Sequence, residues 1–270
     1  MTLRWPIRAC LTVAMALFSP YVLADYTLNM TSGVTPVSRE IYTLHMTIFW
    51  ICVAIGAIVY SIMLYSIIRH RKSRGYHAAS FHESTTVEII WTIIPFIILI
   101  AMAVPATYTL NFMENVDEAD LSIKITGYRW HWQYDYIDQD IGFMSYLSTP
   151  EDQFLNKAPK QQNYLLEVDR PLVVPIGKKI RFLVTASDVI HSWWVPQLGV
   201  KKDAIPGFIN ETWTKIDKPG TYRGQCAELC GARHGYMPIV VEAKSEADYL
   251  VWLNEQKQAK IGLTHDMTAS

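Results

Sequence analysis

Cysteine is scarce in this chain, with four in 270 residues: Cys10, Cys52, Cys226 and Cys230. Net charge is scarcer still, since 24 Lys and Arg stand against 25 Asp and Glu for a formal total of −1. That balance offers no argument for nucleic-acid binding, and no basic run is long enough to make one. No Cys-x-x-Cys-His signature occurs, so no domain with covalently attached haem is fused to the chain. Internal repeats and low-complexity segments are also missing. A lone bridge between Cys226 and Cys230, four apart in a polar loop, would close a very small ring and add little stability. The two thiols are at least as well read as metal ligands. What is abundant is apolar residues, 50% of the chain, alongside 18% charged residues. That mixture fits neither a pure bundle of membrane helices nor an ordinary soluble protein. It points to apolar segments joined to a water-exposed domain.

There are three apolar segments. The first has Arg4 and Arg8 as a basic start, an apolar centre over 9–18, and Val22-Leu23-Ala24 as a small-residue cleavage signal. It reads as a signal peptide over 1–24, with a short uncleaved anchor as the competing reading. Residues 25–40 then form a short segment outside the cytoplasm. The second and third segments, 41–68 and 87–112, each exceed the roughly 20 residues that cross a bilayer core. The third contains Pro95 and Pro105, which membrane helices tolerate. The connecting loop, 69–86, carries Arg69, Arg71, Lys72 and Arg74. Such an excess of positive charge marks the cytoplasmic side. Both outer ends of the hairpin then lie outside the cytoplasm, in agreement with an exported N-terminus.

Residues 113–243 have strand character, with β-branched and aromatic runs broken by turn signals, and suggest a small antiparallel sandwich or barrel. From Ser245, a plausible cap, to about residue 260 the pattern turns helical, within a C-terminal helix and tail over 244–270.

The chemistry-bearing stretch is GQCAELCGARHGYMPIVV, which gathers Cys226, Glu228, Cys230, His234 and Met237; His191 stands upstream at the end of a strand-like run. Two thiolates, two imidazoles and a thioether form a soft-to-borderline set that selects copper over hard cations. Zinc competes, since Cys2His2 is a common zinc set. Against it stand the Cys-x3-Cys-x3-His spacing and the methionine, a weak axial ligand that copper sites use. A mononuclear blue-copper site needs one cysteine, and a second suggests a dinuclear one.

The pattern His191…Cys226-x-Glu228-x-Cys230-x3-His234-x2-Met237 resembles the dinuclear copper centre, CuA, of cytochrome c oxidase subunit II. The two-helix hairpin, the aromatic run GYRWHWQYDY, the stretch LGVKKDAIPG and the ligand loop follow in that family's order over nearly the whole chain. The resemblance implies a two-helix transmembrane hairpin plus an all-β cupredoxin-like domain. It implies two copper ions bridged by both Cys226 and Cys230. His191 and Met237 would complete one copper, and His234 with the backbone carbonyl of Glu228 the other. It implies that Glu228 also binds a magnesium ion shared with subunit I, that Trp130 takes up the electron, and that Glu88 lies at the mouth of a proton-uptake channel. Arg129 and His131 depart from the family's glutamine and tyrosine.

The implied partners are subunit I, further oxidase subunits, cytochrome c and the membrane. The signal peptide suggests a bacterial inner membrane with the copper domain in the periplasm. The implied role is to accept single electrons from cytochrome c and pass them to a haem in subunit I, where oxygen is reduced and protons are pumped. The alternatives are a quinol oxidase subunit, which would lack the copper ligands, and a membrane-tethered copper chaperone, which would lack the paired cysteines and the aromatic run.

Two bland features complete the reading. Alternation along a strand puts Tyr128, Trp130, Trp132, Tyr134 and Tyr136 on one face. Acidic residues outnumber basic ones across 113–169. That excess is either a solvated face or a landing site for a basic cytochrome.

Overall fold

The computed structural model describes residues 29–268 apart from 78 and 81, with side chains to 260. The expected signal peptide, 1–24, lies outside the described residues.

Two long helices form the hairpin. α1 (Pro36–Arg69) begins ahead of the expected residue 41 because its start is fixed by polar groups that a search for apolar runs does not see. Thr35 Oγ1 accepts from Ser38 N, and Ser38 Oγ accepts from Thr35 N, both at 3.0 Å. This reciprocal cap satisfies two orphan donors, and Pro36 needs no partner in the first turn. α2 (Thr85–Glu114) runs through Pro95 and Pro105 without a break. At about 1.5 Å per residue, the 34 and 30 residues outreach a hydrocarbon core of about 30 Å. Side chains such as Ile58, Ile62, Leu64, Phe96 and Leu99 point outward and are exposed, so neither helix is the buried core of a soluble domain.

The β-domain is two five-stranded sheets packed face to face. The strands are β1 (Leu121–Tyr128), β2 (His131–Tyr136), β3 (Ile141–Ser145), β4 (Leu172–Pro175), β5 (Ile180–Ala186), β6 (His191–Val195), β7 (Val200–Ala204), β8 (Asn210–Thr214), β9 (Gly220–Cys226) and β10 (Pro238–Lys244). Their order is β3-β2-β1-β5-β8 in one sheet and β4-β10-β9-β6-β7 in the other. The sandwich is mixed rather than purely antiparallel, since β1 runs parallel to β5 and β4 to β10. Strict alternation along β1 and β5 sends Ile123, Ile125, Phe182 and Val184 inward against Trp193, Val195, Ile239 and Val241. Each such side chain, fully buried, stabilises the domain by about 1.5–3 kcal/mol.

The aromatic run does not lie on one strand. It folds as a hairpin, with Arg129 and Trp130 as the turn between β1 and β2. Trp132, Tyr134 and Tyr136 share the buried face of β2, as alternation requires. Tyr128 instead pairs across the hairpin with His131 and stacks on it, ring centroids 5.0 Å apart. Trp130 is left at the tip.

The C-terminal helix, α3 (Glu246–Thr268), starts where expected: Ser245 Oγ accepts from Asp248 N and donates to Asp248 Oδ2. Tyr249, Trp252 and Leu253 seat it on the sandwich, with the Trp252 ring 5.3 Å from Tyr136.

The hairpin is fastened to the β-domain at both of its outer ends. Thr35 Oγ1 donates to the Leu198 carbonyl at 2.8 Å, and Arg39 pairs with Asp217 at 2.7 Å. Trp213 donates to the Phe112 carbonyl at 3.2 Å and packs edge-on against its ring.

Candidate metal centre

The constellation sits where β6 begins and β9 ends. Trp193 and Cys226 are register partners, which brings the start of β6 beside the end of β9. The loop after β9 leaves at Ala227, whose N–H donates to the Ser192 carbonyl at 3.0 Å. It returns at Met237, whose carbonyl accepts from Cys226 N at 3.0 Å. The loop is therefore closed by its own backbone, and the residues inside it are forced together.

Within it, Cys226 Sγ and Cys230 Sγ lie 3.8 Å apart, with no disulfide. His191 Nδ1 approaches Cys226 Sγ to 3.9 Å, and His234 Nδ1 approaches Cys230 Sγ to 3.6 Å, one imidazole for each sulfur. The Glu228 carbonyl is 3.3 Å from Cys226 Sγ. His191, both cysteines and Met237 are buried; His234 is partly exposed and Glu228 exposed. The ligand atoms of His191, Cys226 and Cys230 all fall within 4.8 Å of one another.

This donor set fits copper. It is sulfur and imidazole nitrogen rather than the carboxylates that hard cations need. A gap of 3.8 Å between sulfurs admits a metal bonded to both, at the roughly 2.3 Å typical of a zinc–thiolate bond.

Protonation divides the two thiols. Burial pushes Cys226 up, but hydrogen bonds with His191, Ser192 N and Glu228 outweigh it and bring the thiol down to about 7. Cys230 is raised to about 12, by burial and by the neighbouring Cys226 thiolate. One proton leaves readily; the second needs a cation, so metal uptake releases protons.

Sequence reasoning missed the groups that hold His191 in place. Its Nε2 faces Asp188 Oδ1 at 2.9 Å, leaving Nδ1 for the sulfur side. Asp188 is partly buried, which alone would raise its pKa. Hydrogen bonds from His191, Val189 N and Arg129 N overcome this and hold it at about 2. The carboxylate three residues before the histidine was the available signal. Trp132 meets the imidazole edge-on, centroids 5.9 Å apart. Gly127 lies directly beneath it: a Cβ there would stand 2.8 Å from His191 Cδ2.

Trp130 is joined to the site, since its Nε1 donates to the Cys230 carbonyl at 3.2 Å. Glu88 is not; it lies exposed in the first turn of α2, at the opposite end of that helix from the β-domain. Arg223, one basic residue near Glu228 in sequence, is paired with Glu167 at 2.6 Å. The acidic excess is dispersed and partly neutralised: Asp140 pairs with Lys260 and Glu167 with Arg223.

Residues 121–244 match the family profile described as cytochrome c oxidase subunit II, periplasmic domain, and residues 24–108 match the transmembrane domain of the same subunit. The chain belongs to the cytochrome c oxidase subunit II family. A probable cytochrome c oxidase subunit 2 from Rickettsia bellii is 40% identical over 264 residues, covering 96% of each chain. Cytochrome c oxidase subunit 2 from Cereibacter sphaeroides is 36% identical over 249 residues, covering 87% of this chain and 82% of that one. A crystal structure of the periplasmic domain of subunit II of cytochrome oxidase from Bradyrhizobium japonicum is 42% identical, covering 53% of this chain and 98% of that one, with a TM-score of 0.48. The chain is thus a subunit of a haem–copper oxidase, an oxidoreductase complex, and a membrane protein with a periplasmic β-domain. The family is one of copper-binding subunits.

The contact at Gly127 generates a prediction. Gly127→Ala should displace the His191 ring and lower metal affinity about 10-fold or more, in the range seen when a ligand's supporting partners are lost. Circular dichroism should still report a folded domain. Unchanged affinity in a metal-competition titration would show that His191 does not depend on this position.

Proposed function

We propose that this chain takes single electrons from cytochrome c at Trp130 and passes them, by way of two copper ions held by His191, Cys226, Glu228, Cys230, His234 and Met237, to the haem-carrying subunit I. The observation that carries the reading is the paired sulfurs, 3.8 Å apart, each with its own imidazole. When bound, the copper pair supplies a one-electron couple whose charge change is shared between two ions. His191 and Met237 would help to hold one ion and His234 with the Glu228 carbonyl the other, while Cys226 and Cys230 would supply thiolates to the pair.

The remaining work belongs to the chain. The closed loop and the buried His191 fix the ligands, so little rearrangement accompanies a change of charge. Burial of the sulfurs keeps water off them. Trp130 lines an open cleft of about 850 Å³ together with Arg129, His131, Tyr146, Arg233 and Tyr236. Its indole N–H reaches the Cys230 carbonyl, so one side chain spans the distance from a partner-accessible cleft to a ligand residue. The exposed carboxylate of Glu228, free of duty at copper, serves a magnesium ion shared with subunit I. Magnesium prefers oxygen and keeps several waters, so a single carboxylate is a sufficient share. The complex sits in a bacterial inner membrane, where the exported β-domain meets cytochrome c in the periplasm.

Three outcomes follow. Cys226→Ser and Cys230→Ser should each abolish the mixed-valence electron paramagnetic resonance spectrum of the purified oxidase, because one remaining thiolate would not hold two coppers together as a pair. The same spectrum in either variant contradicts a bridging pair. Trp130→Phe should slow electron uptake from cytochrome c while leaving its dissociation constant within about 2-fold, a change under 0.5 kcal/mol. Weaker binding with an unaltered transfer step would instead make Trp130 a docking residue. Glu228→Gln should leave the copper content intact and alter the resonance of manganese substituted for magnesium; an identical manganese spectrum removes Glu228 from that site.

A further inference from the structure

The turn that carries Trp130 is fastened to the metal centre at two points. One is the Trp130 indole on the Cys230 carbonyl. The other runs through the preceding residue. Arg129 donates its backbone N–H to Asp188 Oδ2 at 2.7 Å and holds its guanidinium Nε 3.5 Å from the same oxygen. The opposite oxygen, Oδ1, accepts from Val189 N at 2.6 Å and faces His191 Nε2 at 2.9 Å. The far side of that imidazole, Nδ1, faces Cys226 Sγ. A continuous path of polar contacts therefore runs from a surface guanidinium to a metal ligand.

The charges along this path act in opposition. A carboxylate on the outer nitrogen of a ligating imidazole makes the ring a stronger electron donor, which favours the oxidised metal. A cation on the other carboxylate oxygen draws density back and favours the reduced metal. Half of the Arg129 side chain is exposed, but only 23% of the Asp188 side chain is, so solvent screens the pair incompletely.

We infer that Arg129 is a positioning residue that sets the reduction potential of the bound copper, by offsetting the charge that Asp188 presents to His191. This rests on the reading of His191 as a copper ligand. The backbone bond from Arg129 to Asp188 holds the carboxylate in place whatever the side chain is. The guanidinium supplies the charge.

The test uses the purified oxidase complex with Arg129→Gln, Arg129→Lys, Asp188→Asn and the double variant Arg129→Gln with Asp188→Asn. Copper content, the resonance spectrum and the midpoint potential of the copper couple are measured for each. Arg129→Gln should keep its copper and shift the potential down. Arg129→Lys should restore most of the wild-type value, and Asp188→Asn should shift it up. In the Asp188→Asn background, Arg129→Gln should produce less than half its wild-type shift, because its partner charge is gone. A zero or upward shift for Arg129→Gln overturns the inference. So does an equal shift in both backgrounds, which would bypass Asp188. Loss of copper from Arg129→Gln also overturns it, since a tuning residue leaves occupancy alone. A wild-type complex without copper at this site instead overturns the ligand reading beneath it. A loaded wild type with an unmoved potential removes only the role of Arg129.

Discussion

The hydrogen bond from Cys226 N to the Met237 carbonyl, 3.0 Å long, closes the loop in which most of the chemistry is concentrated. It continues the β9–β10 ladder one step past the Gln225–Pro238 pair and so draws the two ends of the loop together. With it, the loop has one mouth, and its interior sulfurs are pressed to within 3.8 Å. Such proximity is unfavourable for two thiolates: Cys230 keeps its proton up to about 12 after Cys226 has lost its own. A site strained in this way by like charge is relieved by cations, and its soft donors select which cations. The fold thus stores the demand for a metal in the backbone and leaves the side chains to choose it.

The rest of the β-domain serves to bring His191 to that mouth and to hold it. β6 delivers the residue, the pairing of Trp193 with Cys226 brings the start of β6 beside the end of β9, and Asp188, Trp132 and Gly127 bound the ring on its remaining sides. The hairpin is coupled to the same frame. Thr35 and Arg39 at one helix end and Phe112 at the other bond to the segments around Leu198, Asp217 and Trp213. A site that must pass an electron to a membrane-embedded partner gains from this, because bonds at both helix ends oppose tilting of the domain over the bilayer.

The six proposed ligand positions stand out in the sequence because five of them lie within twelve consecutive residues and carry unusual chemistry for a polar loop. The supporting residues were less legible. Asp188, three residues before His191, left a local signal, but Gly127 meets the ring only because β1 and β5 pair in parallel across a long crossover, a partnership that local periodicity does not encode. The aromatic run was legible as strand but not as hairpin: Arg129 and Trp130 carry none of the Gly, Asn or Pro that usually announce a tight turn. The apolar spans gave the helices, while their polar beginnings at Thr35 and Ser84 lay below the reach of an apolar scan. The acidic excess of 113–169 was a property of composition. In three dimensions several of those carboxylates already have partners, and two arginines, Arg129 and Arg233, line the cleft beside Trp130.

X-ray absorption at the copper edge of the purified oxidase tests the central claim most directly. Two sulfurs each shared by two metals give every copper two sulfur neighbours, one imidazole nitrogen and a second copper at short range. The account predicts that pattern, with the copper–copper vector lost when either Cys226 or Cys230 is replaced by serine. A single sulfur neighbour with no copper–copper vector in the wild-type protein would contradict it.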